Sequence, residues 1–182
     1  NFSSTLTTRG GVLRDSDPVT FVDYHRASEF AEVVGLRLPT QYEFEFAATA
    51  GGTRAFPWGN DAERIKSWLI GAVRTPDFDR ANTEPPVFGL YSGAIEWTDS
   101  RQDLTAVADP EMFPEALRDQ IRNGRIIRGG PASVAYGSQD LSRQTFSAAF
   151  RGAFVNERTE LPGLGFRCAY SSAPRFQGLA ER

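Results

Sequence analysis

The sequence predicts an α+β domain in which two early helices precede a long irregular coil and a few short strands. Three observations carry that expectation. Apolar residues recur at helical spacing chiefly between residues 24 and 48. Fourteen Phe and three Trp are dispersed among 17 Gly and 11 Pro, a composition of short elements pinned by aromatics rather than of a long-helix bundle. Strand-like runs are brief and come late, at Arg125–Arg128 and Gly165–Tyr170. No internal repeat, heptad or low-complexity tract competes with this reading.

Residues 1–18 are polar and end in Asp17-Pro18, which reads as an arm or loop with room for one short strand, or as the remnant of an N-terminal part. Asp23 is placed to cap a helix over about 24–34, with Ala27, Phe30, Ala31 and Val34 on one face, and Gly35 stops it. Thr40 and Glu43 form a capping box that opens a second helix, whose Tyr42, Phe46 and Ala47 share an inward face, and Gly51-Gly52 ends it. From Thr53 to Trp97 the punctuation by Gly, Pro and Asn predicts coil with little regular structure. A short helix is expected over roughly 114–122, ahead of the Asn123-Gly124 stop. Gln144–Phe154 is expected as a partner strand or a bend between the two late runs, and residues 171–182 as a flexible tail. The domain proper is then 18–170.

Composition excludes several functions. A net charge of -3, with Lys and Arg spread through the chain, gives no basic stripe for a phosphate backbone, so nucleic acid is not an expected partner. No apolar run approaches the roughly 20 residues of a membrane helix, so this segment is expected to be soluble and to make no membrane contact. The opening Asn1-Phe2-Ser3-Ser4 reads as an excerpt or a processed product. The single cysteine, Cys168, cannot form an intrachain disulfide, and the single histidine, His25, cannot build a zinc or non-haem iron site. No Gly-x-Ser-x-Gly elbow, P-loop or kinase signature is present. Glu43 and Glu45, two residues apart on a helix, point about 200° apart and cannot act as an acid/base pair on one atom.

Five segments remain: Gly35-Leu36-Arg37-Leu38-Pro39-Thr40-Gln41-Tyr42-Glu43-Phe44-Glu45-Phe46-Ala47-Ala48, Phe56-Pro57-Trp58-Gly59-Asn60, Glu96-Trp97-Thr98, Gly129-Gly130 after a basic-apolar run, and Gly165-Phe166-Arg167-Cys168. The Gly-Gly pair marks a close backbone approach. Together these segments resemble the formylglycine-generating enzyme family, also called the sulfatase-modifying-factor domain. The resemblance runs from about Pro18 to Tyr170. It implies a C-type-lectin-like α+β architecture with a small antiparallel sheet and a large share of loop.

In active members of that family two cysteines follow the Gly-Gly pair. The matching positions here are Val134 and Gln139. A thiolate is needed to bind copper and to redox-cycle on a substrate cysteine, and neither residue supplies one. No copper and no formylglycine-generating oxidase activity are therefore expected, and no catalytic residue is assigned. The resemblance places Val134, Tyr136, Gln139 and Arg151 on the peptide-holding groove. Around Glu96 it implies a calcium loop reduced to Glu96, Ser92 and Ala94, because Gly89 and Gly93 stand where oxygen-bearing side chains belong. The family's partner for Cys168 falls at Ala31, so Cys168 is expected to be a small buried hydrophobe. Trp58 is either an aromatic plug over the core or a stacking surface for a ligand. The resulting expectation is a non-catalytic module that binds a peptide or protein, as in relatives fused to serine/threonine kinases. The alternatives are an enzyme of another mechanism on the same fold, and a domain that braces a neighbour.

Overall fold

The computed structural model describes residues 18–61, 64, 80–81, 83–91, 94–101, 113–115, 118, 123–129, 154–161 and 163–171. The elements within them are α1 (Tyr24–Val33), α2 (Gln41–Thr49), β1 (Ile95–Arg101), β2 (Gly124–Arg128), β3 (Phe154–Asn156) and β4 (Leu164–Phe166). The four strands form one sheet in the order β3-β2-β1-β4. β1 pairs antiparallel with β2, and β2 with β3, but β4 runs parallel to β1. The sheet is thus mixed rather than antiparallel.

α1 begins where Asp23 accepts the Arg26 N–H at 2.8 Å. It ends in a left-handed Gly35 (φ 75°), with Leu36 N–H donating to Ala31 O and Gly35 N–H to Glu32 O, the paired bonds that close a helix through a glycine. Its buried stripe is Tyr24, Ala27 and Ala31. Phe30 and Val34, expected on that stripe, are exposed; Phe30 instead meets Phe166 edge-on at 5.5 Å. α2 opens with the expected capping box and ends through left-handed Ala50 and Gly51. Its buried residues are Gln41, Phe44, Ala48 and Thr49, while Tyr42 and Phe46 face solvent. The expected inward face was the wrong one. Asp99 N–H donates to Pro39 O, and Gln41 N–H to Ser100 Oγ. These bonds pin the start of α2 to β1 and turn Phe44 inward.

The strands differ from expectation in extent. β1 lies partly inside the stretch read as coil, β4 stops at Phe166 with Ala169 bridging Arg37 beyond it, and the described part of β3 starts at Phe154. Residues 144–153 lie outside the described residues, as does most of the predicted 114–122 helix, of which the Arg118 N–H to Pro114 O bond is seen.

Alternation sorts the sheet into two faces. Ile95, Trp97, Ile127 and Leu164 join Tyr24, Ala27, Ala31 and Leu38 in one core cluster, with Cys168 packed partly buried against it. Trp97 is fully buried and donates its indole N–H to Val22 O at 2.8 Å. Glu96 and Arg128 belong to the opposite face, toward α2. There Phe44, Ala48, Ala81, Leu90 and Tyr91 form a second cluster.

Candidate functional site

β2 delivers the chain to the Gly129-Gly130 pair. Gly129 has φ 73°, and a Cβ on it would stand 2.5 Å from Leu90 O and 3.1 Å from the Phe44 ring. A side chain is excluded there by backbone as well as by the dihedral. The close approach expected of this glycine is present, and it fixes the point at which the chain leaves the sheet. The groove residues Val134, Tyr136, Gln139 and Arg151 lie outside the described residues, as does Ser92. Ala94 and Glu96 are described.

Glu96 is a buried residue of β1 whose cross-strand neighbour on β2 is Arg128 and whose neighbour on β4 is Gly165. Arg167, just beyond β4, turns its guanidinium onto this carboxylate. Its Nη2 donates to Glu96 Oε1 at 2.7 Å, its Nε donates to Glu96 Oε2, and both terminal nitrogens reach Phe88 O at 3.2–3.3 Å. A bidentate arginine fork matches a carboxylate in geometry as well as charge. Arg128 is fully buried, with Nη2 3.6 Å from Glu45 Oε2. Its guanidinium carbon lies 5.5 Å from the centroid of the Phe44 ring, and that of Arg167 lies 5.9 Å away. The site so formed is an arginine pair about one aromatic ring, Arg128 fully buried and Arg167 partly so, with Glu96 and Glu45 among its acidic neighbours.

Arg128 and Arg167 fall within motifs of the sequence but carry no expected role there. Period-two alternation within Arg125-Ile126-Ile127-Arg128 was the available signal. It sends Arg128 to the α2 face and Arg125 to the α1 face, where Arg125 lies 4.0 Å from the Tyr24 ring centroid and pairs with Asp99 and Glu157. Tyr24 donates its hydroxyl to Asp99 Oδ1 at 2.7 Å, and burial together with that acceptor pushes its pKa up to about 12.

Glu43 and Glu45 diverge as their spacing requires. Glu43 accepts from both terminal nitrogens of Arg37, at 2.7 and 2.5 Å, and from Thr40 N–H. The Arg37 hydrogen bonds, ahead of the Thr40 contacts, hold its pKa near 2. Trp58 stacks on buried Phe56 with centroids 5.1 Å apart, meets Tyr91 edge-on and donates its indole N–H to Asp61 O. One ring face and the polar tip are thus engaged within the protein. Cys168 is partly buried, and desolvation raises its thiol pKa, which disfavours the thiolate needed for metal binding or nucleophilic attack. Among the described residues no three His, Cys, Asp or Glu gather as a metal site, and no helix is long and apolar enough to cross a membrane.

A family profile described as the sulfatase-modifying factor enzyme 1-like domain matches residues 4–172. The formylglycine-generating enzyme of Bos taurus is 26% identical over 182 residues, covering 88% of this chain and 46% of that protein. The inactive C-alpha-formylglycine-generating enzyme 2 of Bos taurus is 28% identical over 173 residues, covering 84% of this chain and 50% of that protein. The serine/threonine-protein kinase pkn1 of Chlamydia pneumoniae is 30% identical over 119 residues, covering 62% of this chain and 19% of the kinase. The chain therefore spans half or less of the length of these relatives. On this match, which takes in nearly the whole sequence, the chain belongs to the sulfatase-modifying factor enzyme 1-like domain family.

Proposed function

We propose that this domain is a non-catalytic, peptide- or protein-binding member of its family that serves as a module of a larger protein. The observation that carries the reading is the thiol count. Val134 and Gln139 stand at the two positions where the family resemblance puts cysteines, and the remaining cysteine, Cys168, packs against the core with its thiol pKa raised. Oxygen-dependent conversion of a substrate cysteine to formylglycine needs a thiolate pair that can hold copper and exchange with the substrate, and this chain has one thiol. Two relatives support the reading: one is named as inactive, and in a kinase the matched region is under a fifth of the protein. The α+β scaffold of two helices and a mixed sheet is taken, within this reading, to be of the C-type-lectin-like kind. Val134, Tyr136, Gln139 and Arg151 form the recognition surface, an apolar, aromatic, amide and cationic set suited to holding an extended peptide.

The test uses a fluorescent peptide carrying a sulfatase-type cysteine, with copper and oxygen present. Mass spectrometry follows aldehyde formation and anisotropy follows binding. The expected result is binding without conversion, weakened by Val134→Trp in a protein that still folds. Conversion of the cysteine to the aldehyde would overturn the non-catalytic reading, and binding unaffected by Val134→Trp would move the recognition surface elsewhere.

A further inference from the structure

We infer that Arg167 serves as a built-in cation for Glu96, so that this part of the sheet is held together by a guanidinium where the family resemblance implies a calcium ion. The residues present do not fit calcium. That ion takes six to eight oxygens, with carboxylates as its charged ligands. Here both carboxylate oxygens of Glu96 accept from Arg167, and the cross-strand neighbour of Glu96 is a second arginine, Arg128. A divalent ion at Glu96 would have to displace one guanidinium and sit beside another in a buried space. Charge argues the same way. The Glu96 carboxylate already holds one guanidinium and has a second arginine, fully buried, as its cross-strand neighbour, and both cations would repel a divalent ion placed there.

The guanidinium also does what a calcium ion would do mechanically. Arg167 follows β4, Glu96 lies on β1, and Phe88 belongs to the coil before β1. One planar fork therefore ties the parallel β1–β4 pair to that coil through Glu96 and the Phe88 carbonyl. Arginine supplies fixed donors in this geometry, and its charge does not depend on calcium supply.

Thermal unfolding of the domain in excess EGTA and in about 1 mM calcium, a concentration that fills extracellular-type sites, tests the inference. The wild-type Tm is expected to be the same in both. A calcium-dependent rise in Tm that Glu96→Gln abolishes would overturn it. A rise shared equally by wild type and Glu96→Gln would place an ion elsewhere and leave the Glu96–Arg167 pair standing. In a second arm, Arg167→Gln should lower Tm by several degrees by taking the bidentate cation from a buried carboxylate, and Glu96→Gln added to it should recover part of the loss. An unchanged Tm in Arg167→Gln would also overturn the inference. If that variant does not fold, the wild-type comparison still decides, because it needs no change at Arg167.

Discussion

Glu43 shows how much one side chain can be asked to do. It caps α2 through Thr40, receives the Arg37 fork, and has its pKa drawn from the ordinary 4.5 to about 2 by those contacts. A carboxylate whose folded pKa is depressed contributes stability that is complete above the unfolded pKa and is lost as pH falls through the folded one. The expected outcome is a Tm that declines between about pH 4.5 and pH 2, with a shallower decline in Glu43→Gln, read by thermal unfolding across that range. The gain is modest because the carboxylate is nearly half exposed and solvent screens the pair. Equal pH slopes in the two proteins would contradict this assignment.

At the scale of elements, β4 depends on a missing side chain. A Cβ on Gly165 would stand 2.3 Å from Val19 O, and Thr20 bridges to the same glycine. Gly165→Ala must push the segment before α1 off the strand, since a backbone carbonyl cannot rotate aside as a side chain can. A cost of about 1–3 kcal/mol is expected, measured by denaturant unfolding, with the midpoint lowered. A midpoint equal to wild type would show that the 18–22 segment is free to yield.

What could be read from the sequence follows the same division between local and distant causes. Asp23, Gly35 and the Thr40–Glu43 box were legible because capping acts within one turn. The direction of α2 was not. Which aromatics of Tyr42, Phe44 and Phe46 turn inward is decided by the bonds from Asp99 to Pro39 and from Gln41 to Ser100, across more than fifty residues of sequence. β1 was read as coil up to Trp97 because the Gly, Pro and Asn punctuation of the preceding stretch was carried through to it; the inward Glu96 gives no local strand signal, since its arginine lies 71 residues away. The motifs were legible as a family resemblance, whereas the groove residues Val134, Tyr136, Gln139 and Arg151 lie outside the described residues.

For the whole molecule, β1 is the hub. It is flanked by β2 and β4, its Trp97 face packs against α1, and its Glu96 face carries the arginine pair beside α2. Amides of β1 are expected to exchange with solvent only when the domain opens globally, and those of the exposed outer turns of α1 to exchange earlier. Hydrogen exchange followed by mass spectrometry measures both, and β1 amides exchanging as fast as those near Val33 would remove β1 from that position.

The parallel β4 also has a consequence for synthesis. Thr20 bridges to Gly165, Arg37 to Ala169, and Tyr24 N–H donates to Glu157 O, so the α1 region is closed by residues more than 130 positions downstream. On the ribosome, α1 emerges long before β4, the last of the strands that share its core cluster. Its apolar stripe, Ala27 and Ala31, can meet Ile95 and Trp97 once they are made, but the cluster stays incompletely covered until the 157–169 segment brings Leu164. Long-range closure of this kind is slow, and it leaves nascent surface open to chaperones and to aggregation during translation. Nascent chains arrested before Leu164 should therefore be captured by chaperones, and chains extended beyond Ala169 and clear of the exit tunnel should be released.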